Sequence, residues 1–572
     1  MRGWLMAGTT VVGLLLAACG ESQHGANGGR RGTGMDGMSG APGGASGTNG
    51  MSGASSSAAG GTTAGSGGAM GGTNAMGGAS LAGSAGTSTG GREAAGSAGM
   101  SAAGASALAG SASDAGNAGT AASAGGAGAP SCFVGGGSAN SAVVVLDQPQ
   151  QTMVGFGVGN RGSDALTDSE ANQLFNTTGG GIGLTILRIG MASNGNLDNR
   201  NADSDCATAK ANGATTFVGT VFSAYAMCKT NKTENDGGHL EPGDCYDAWA
   251  TRIAAFPALV KEQTGVDLDA MSVQNEPDYA SCGIEQPCIG DFPSMLYTAE
   301  ELVSFIKVLG PKLHAASPNV KLMGPETTEW LHLWTNETHP DANNPLMGMD
   351  YDYGHALYAD PVAWDLVDIL ATHQYDTLAA EPWPSDVPQT KELWMTEVSG
   401  LKWWPEAGPS SDIENGIAVA GWIHDAIVNG PASAWLYYNR IANFNDDNEG
   451  LILKDGTIAK RFYTLGNYSR FVRPGYKRVS IAGTIPSDVL LSAYQGSDGT
   501  IVVVAINKSS ASIEVPITLA CGSAPLELTP YVTSATDNLA ERLPVPVSAG
   551  AFTGALAASS VTTFVGGSLI AQ

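Results

Sequence analysis

From residue 143 onward, short apolar runs alternate with stretches whose apolar residues recur every three to four positions. A short run bounded by turn residues reads as a buried strand, and the longer spacing reads as an amphipathic helix. Strands are expected at Val154–Gly159, Leu184–Met191, Val218–Ser223, Leu268–Asn275, Lys321–Glu326, Val367–Tyr375, Glu392–Glu397 and Ser433–Tyr438. Helices are expected between them, including Cys245–Thr264 (Trp249, Ile253 and Phe256 at helical spacing), Ala299–Ala315 and Ile413–Val428. Strands alternating with helices in this number predict a (β/α)8 barrel over residues 153–474.

After Pro474-Gly475 the pattern changes. "VLLSAYQG", "IVVVAINKS", "SIEVPITL" and "SVTTFVGG" are short strands separated by turn signals, which predicts a β-sandwich over residues 475–572. The run Val143-Val144-Val145-Leu146 is also strand-like and precedes the barrel. Residues 131–152 are therefore expected to supply a discontinuous strand to the sandwich.

The first 130 residues differ again. Arg2 is followed by the mostly apolar stretch Leu5 to Leu16, too short to span a bilayer comfortably, and then by Leu16-Ala17-Ala18-Cys19. That tetrad matches a bacterial lipobox. Residues 1–18 are expected to be a lipoprotein signal peptide, with cleavage before Cys19 and lipidation of its sulfur; ordinary secretion is the alternative. Residues 19–130 are mainly Gly, Ala, Ser, Thr and Met. They cannot bury enough apolar surface to offset the entropy of ordering, so a disordered tether is expected. The implied location is the bacterial cell surface or outer membrane.

Composition narrows the function. The formal net charge is −26, and nucleic-acid binding is not expected because a phosphate backbone requires clustered Lys and Arg. Eight cysteines fit an oxidising compartment, and Cys282 and Cys288 are expected to bridge a local loop. There is no CxxC and no HExxH, and the His residues are scattered, so neither a metal site nor a cofactor is expected.

The candidate chemistry lies in two carboxylates. Catalytic groups of such barrels sit at the C-terminal ends of strands. "SVQNEPDYA" closes the fourth strand with Asn275-Glu276-Pro277, and "LWMTEVSG" closes the seventh with Glu397. A buried carboxylate is costly unless paired or used. Two facing carboxylates about 5 Å apart suit a retaining glycosidase, and a gap of roughly 6.5–9.5 Å suits an inverting one. The bland alternative makes Glu276 a helix-cap partner and Glu397 a surface loop residue.

"SVQNEPDYA", "ATHQYD", "LWMTEVSG", "DGTIAKRFYTLGNYSRFVRPGY" and "VVVAINKS" together, in this order, resemble family 30 glycoside hydrolases, most nearly their bacterial glucuronoxylanase branch. The likeness runs from about residue 143 to 567. It implies a (β/α)8 barrel with an attached β-sandwich and a retaining mechanism, with Glu276 as acid/base and Glu397 as nucleophile. Chemistry adds supporting residues: Arg188 in "LRIG" and Tyr375 as donors to Glu397, and Asn275 as donor to the sugar 2-hydroxyl. His373 reads as a satisfied core histidine. Sugar platforms are sought among Trp330, Trp334, Trp383, Trp403, Trp404 and Trp435, with Trp435 the favoured candidate.

The sequence departs from the family pattern in places. Phe222-Ser223-Ala224-Tyr225 stands where the family has a Trp-Ser-Pro-Pro-like loop, and residues 281–297 and 337–353 look inserted. The eighth strand reads Leu436-Tyr437-Tyr438-Asn439-Arg440 in place of a Trp-Tyr-x-Arg-Arg-like run. By resemblance, Arg440, helped by Tyr437, lies on the cleft rim and reads a glucuronate carboxylate. The expected activity is endo-β-1,4-xylanase on xylan or glucuronoxylan by a lipid-anchored monomer. The alternatives are a β-1,6-glucanase, a glucosylceramidase-like enzyme, a non-catalytic carbohydrate-binding lipoprotein, or an adhesin working through its tether.

Overall fold

The computed structural model describes residues 140–160, 164–198, 201–280, 293–335, 351–375, 380–400, 410–442 and 448–567. Cys19, the tether, Cys282, Cys288, Trp403 and Trp404 lie outside the described residues.

The chain begins its described course in β1, Ala142–Thr152. Eight parallel strands then close into a barrel: β2 Gly155–Gly159, β3 Ile186–Met191, β4 Thr216–Val221, β5 Ala270–Ser272, β6 Lys321–Met323, β7 Ile369–His373, β8 Glu392–Glu397 and β9 Ala434–Tyr437. β9 pairs back with β2, so the sheet has no open edge. Seven fall within the expected runs, and β4 begins two residues before its own. β5 is shorter than its apolar run because the chain leaves the ladder before Asn275.

The helices stop and start for local reasons. Asp244–Thr264 ends at Gly265, which adopts the left-handed conformation (φ 73°). Ala299–Ala316 begins with a capping box in which the Thr298 and Glu301 side chains satisfy each other's backbone N–H groups. Ile413–Val428 is capped by Asp412, whose carboxylate accepts from the Asn415 N–H. A disulfide joins Cys228, in the loop after β4, to Cys245 in the first of these helices.

One set of strand residues fills the barrel interior: Ile186, Val218, Ala270, Met323, Ile369, Ala371, Trp394, Ala434 and Leu436. Side chains alternate along a strand, so the residue two positions on shares the same face. Arg188 follows Ile186, Thr220 follows Val218, and His373 follows Ala371. The apolar plug is thus overlaid at its C-terminal end by a polar layer.

The second domain is a ten-stranded sheet folded around its own core. β1 lies within it, antiparallel to Lys477–Gly483 and parallel to Ile513–Ala520. Ala142, Val144 and Leu146 of β1 pack in its core with Val503, Phe552 and Phe564. Burying each large aliphatic side chain stabilises by about 1.5–3 kcal/mol. The segment preceding the barrel is thereby tied to the C-terminal domain. Among the described residues, no helix is long and apolar enough to cross a membrane.

Candidate active site

Glu276 stands just past β5, in a left-handed backbone conformation (φ 46°), and its N–H donates to the Glu326 carbonyl at 2.9 Å. Glu326 stands just past β6 at φ 55°. Both are non-glycine residues in a sparsely populated region, a cost that folds tolerate mainly at functional sites. Glu397 reaches the same layer by another device. Between β7 and β8 the register slips at Thr372/His373, so that His373 pairs with Glu397. The slip turns Glu397, rather than Thr396, onto the interior face above Trp394.

The donors of Glu397 are defined. Arg188 Nη1 lies 2.5 Å from Oε2, and the Tyr375 hydroxyl donates to Oε1 at 3.1 Å. Arg188 Nη2 donates to Asn275 Oδ1 at 2.6 Å, which fixes that amide with its NH2 as the donor end. Arg188 Nε donates to Glu326 Oε1 at 3.1 Å, and Thr220 Oγ1 donates to Glu326 Oε2 at 2.6 Å. Glu276 has a different setting: its Oε1 receives His373 Nδ1 at 3.0 Å. All of these side chains are buried.

The electrostatics separate the carboxylates. Burial pushes the Glu276 carboxyl up and the nearby Glu397 and Asp278 anions add to it. The hydrogen bond and charge of His373 oppose them, and the balance lies at about 7. Burial alone would strip His373 of its proton, but Glu397, Glu276 and Glu326 outweigh it and hold the imidazolium up to about 9. Glu326 is drawn down to about 2 because Arg188 and His373 overcome its burial.

Donor atoms of Glu276, His373 and Glu397 all lie within 4.8 Å of one another. As a metal site the set is a poor fit: His373 is held as a cation, and Arg188 already sits on Glu397. As a carboxylate pair it is well suited to chemistry at one sugar carbon. The nearest oxygens, within 4.8 Å, favour the shorter carboxyl separation of a retaining enzyme over the roughly 6.5–9.5 Å that leaves room for an inverting enzyme's water.

The structure brings together Glu276, Glu397, Asn275, Arg188 and Tyr375. His373, expected to be structural, lies between the carboxylates. Sequence reasoning also passed over Glu326, although it ends β6 after Gly-Pro much as Glu276 ends β5 before Pro. Asp278, two residues after Glu276, is buried too; it accepts from the Thr328 N–H at 3.0 Å and lies 2.6 Å from His332 Nδ1.

Other expectations need correction. Arg440 is not on the rim but buried. Its Nε donates to Asn160 Oδ1 at 3.1 Å and its Nη2 to the Asp164 carbonyl, with the Asp205 and Glu170 carboxylates 3.9 and 3.7 Å away. The reason is charge: Asp205 is wholly buried and would be costly without a nearby cation. The Tyr437 hydroxyl is engaged by loops, accepting from the Gly400 N–H at 2.9 Å and donating to the Asn448 carbonyl at 2.6 Å. Trp435 is wholly buried and alternates with the interior residues Ala434 and Leu436. Its Nε1 donates to Gln374, which itself donates to the Trp422 carbonyl in helix Ile413–Val428, so Trp435 packs toward the helix layer. Trp330 is core as well. Tyr225, in the loop after β4, packs on Trp249 and under Arg252.

Residues 475–564 match the glycosyl hydrolase family 30 beta sandwich domain. The chain is similar in structure to the glycoside hydrolase family 30 subfamily 8 xylanase Xyn30A of Clostridium acetobutylicum (TM-score 0.61, 26% identity, 75% of this chain and 100% of that one). It is likewise similar to a family 30 endoxylanase of Clostridium papyrosolvens C71 (TM-score 0.58, 27% identity, 75% and 100%). In sequence it is 31% identical to Glucuronoxylanase XynC of Bacillus subtilis (strain 168) over 443 residues, covering 75% of this chain and 92% of that protein. The chain belongs to glycoside hydrolase family 30. Membership accounts for the barrel, the sandwich and the O-glycosyl hydrolase character of the site.

Proposed function

We propose that the protein is a retaining endo-β-1,4-xylanase with Glu276 as acid/base and Glu397 as nucleophile. The observation that carries the reading is the pair of carboxylates within 4.8 Å, held in opposite ways: Glu397 by Arg188 and Tyr375, Glu276 near neutrality by burial. In the first step Glu397 attacks the anomeric carbon while Glu276 gives its proton to the glycosidic oxygen, and the C–O bond breaks to release the alcohol. In the second, ionised Glu276 takes a proton from water, whose oxygen displaces Glu397 from the same carbon. Two inversions leave the configuration retained. The names of the relatives support xylan as substrate.

The setting of Arg440 supports a cleft that does not require glucuronate, because its guanidinium is engaged by Asn160 and Asp164. Product sizing on linear xylan, glucuronoxylan, a β-1,6-glucan and an aryl glucoside tests the reading: short xylo-oligosaccharides from both xylans are expected, and hydrolysis confined to the glucan or the glucoside would overturn it. The protein acts as a monomer tethered through lipid on Cys19, a reading supported by the sequence Leu16-Ala17-Ala18-Cys19. Cys19→Ser is expected to move it from the membrane to the soluble fraction, and an unchanged membrane fraction would refute the anchor.

A further inference from the structure

The two-carboxylate reaction leaves a third buried carboxylate, Glu326, without a task. It is wholly buried and joins two cations of the site. Its Oε1 lies 3.1 Å from both Nε and Nη2 of Arg188 and 3.9 Å from Nε2 of His373. Arg188 is thus gripped by Glu326 and by Glu397, and His373 lies between Glu276 and Glu326. We propose that Glu326 is a positioning residue: a permanent anion at the floor of the site that holds Arg188 to one oxygen of Glu397 and fixes the His373 imidazolium against Glu276. The inference rests on the retaining reading above.

Glu326 and Glu397 share the donors of Arg188. A guanidinium pairs bidentately with a carboxylate whenever it is free to turn. With Glu326 neutral, only the Nη2 contacts to Asn275 Oδ1 and Thr220 Oγ1 would oppose a turn of Arg188 toward both oxygens of Glu397. With Glu326 in place, Arg188 Nη1 takes Oε2, and Oε1 receives the neutral Tyr375 hydroxyl, which leaves Oε1 the better nucleophile. The second effect is on His373. The groups that act on it are Glu276 after β5, Glu326 after β6 and Glu397 on β8, with the Tyr375 ring 6.0 Å away. Removing one anion from this set weakens the hold on the imidazole proton.

The test is Glu326→Gln, nearly isosteric and uncharged, in the full chain. Carbon-detected histidine NMR, with His373 assigned by difference from His373→Phe, follows the titration without any substrate. The midpoint is expected to fall by about one pH unit or more from the native value. On an aryl β-xylobioside, kcat is expected to fall about ten- to a hundredfold with KM nearly unchanged, since Glu326 does not touch the sugar. Glu326→Asp keeps the charge, so its histidine midpoint should stay near the native one even where its rate falls; this holds the test open if the Gln variant folds poorly. An unchanged midpoint and rate in a folded Gln variant, or an Asp midpoint displaced as far as that of Gln, would overturn the proposal. Failure of the native chain to cut xylan would remove the substrate assignment, and the histidine titration would still decide the role of Glu326.

Discussion

Replacing His373 by Phe should move the alkaline limb of the pH–rate profile upward. In the native site His373 Nδ1 lies 3.0 Å from Glu276 Oε1, and both its hydrogen bond and its charge favour the ionised form of Glu276. Burial and the anions of Glu397 and Asp278 act in the other direction, and the carboxyl rests near 7. An opposite charge at this range shifts a carboxyl by about 1–3 units. Its loss should leave Glu276 protonated to higher pH by about 1–2 units. His373→Gln keeps a donor without the charge and should move the limb less. The assay is kcat/KM against pH on an aryl β-xylobioside with a poor leaving group, where the alkaline limb reports the acid of the free enzyme. A limb that stays in place, or moves to lower pH, would refute the assignment of His373 as the cation that tempers Glu276.

Glu397→Ala should lower turnover on xylan by about four orders of magnitude or more, and added azide should restore cleavage of an activated xyloside with a glycosyl azide of inverted configuration as product. Glu276→Ala should spare activated leaving groups far more than xylan; equal losses on both substrates would contradict its role as acid. Arg440→Ala should lower thermal stability, because breaking a buried ion pair costs about 3–5 kcal/mol, and should reduce activity on xylan and glucuronoxylan alike; selective loss on glucuronoxylan would restore the rim reading. Stability should also depend on pH in a defined sense. Glu276 and His373 titrate above their usual 4.5 and 6.5, so their contributions are present at low pH and are lost as pH rises through about 7 and about 9. Glu326 titrates below its usual 4.5, so its contribution is lost as pH falls toward about 2. Calorimetry should place the highest Tm between these limits, in mildly acid solution, and a flat Tm from pH 6 to 9 would contradict the signs.

The barrel was legible because each strand is a short apolar run, and the carboxylates because each ends such a run. Arg188 and Tyr375 were legible for the same reason, as polar groups at strand ends. What the linear pattern hides is direction. Trp435 and Tyr437 look like cleft residues at the end of β9, yet they alternate with Ala434 and Leu436, which face the barrel interior. Arg440 looks like a rim residue until the buried Asp205, 235 positions earlier in the chain, is seen to need its charge. His373 looked like a core residue because a lone histidine usually is, and its contacts come from Glu276, Glu326 and Glu397, each on a different strand end. Glu397 itself faces inward through a register slip that no periodicity announces.

The anomer first released from a xylo-oligosaccharide tests the central claim most directly. Proton NMR during the opening minutes of hydrolysis resolves the two anomers before mutarotation mixes them. Carboxylates this close predict the β-anomer at the outset, with the α-anomer growing in at the rate of mutarotation. The α-anomer appearing first would mean inversion, and would contradict the assignment of Glu397 as a nucleophile.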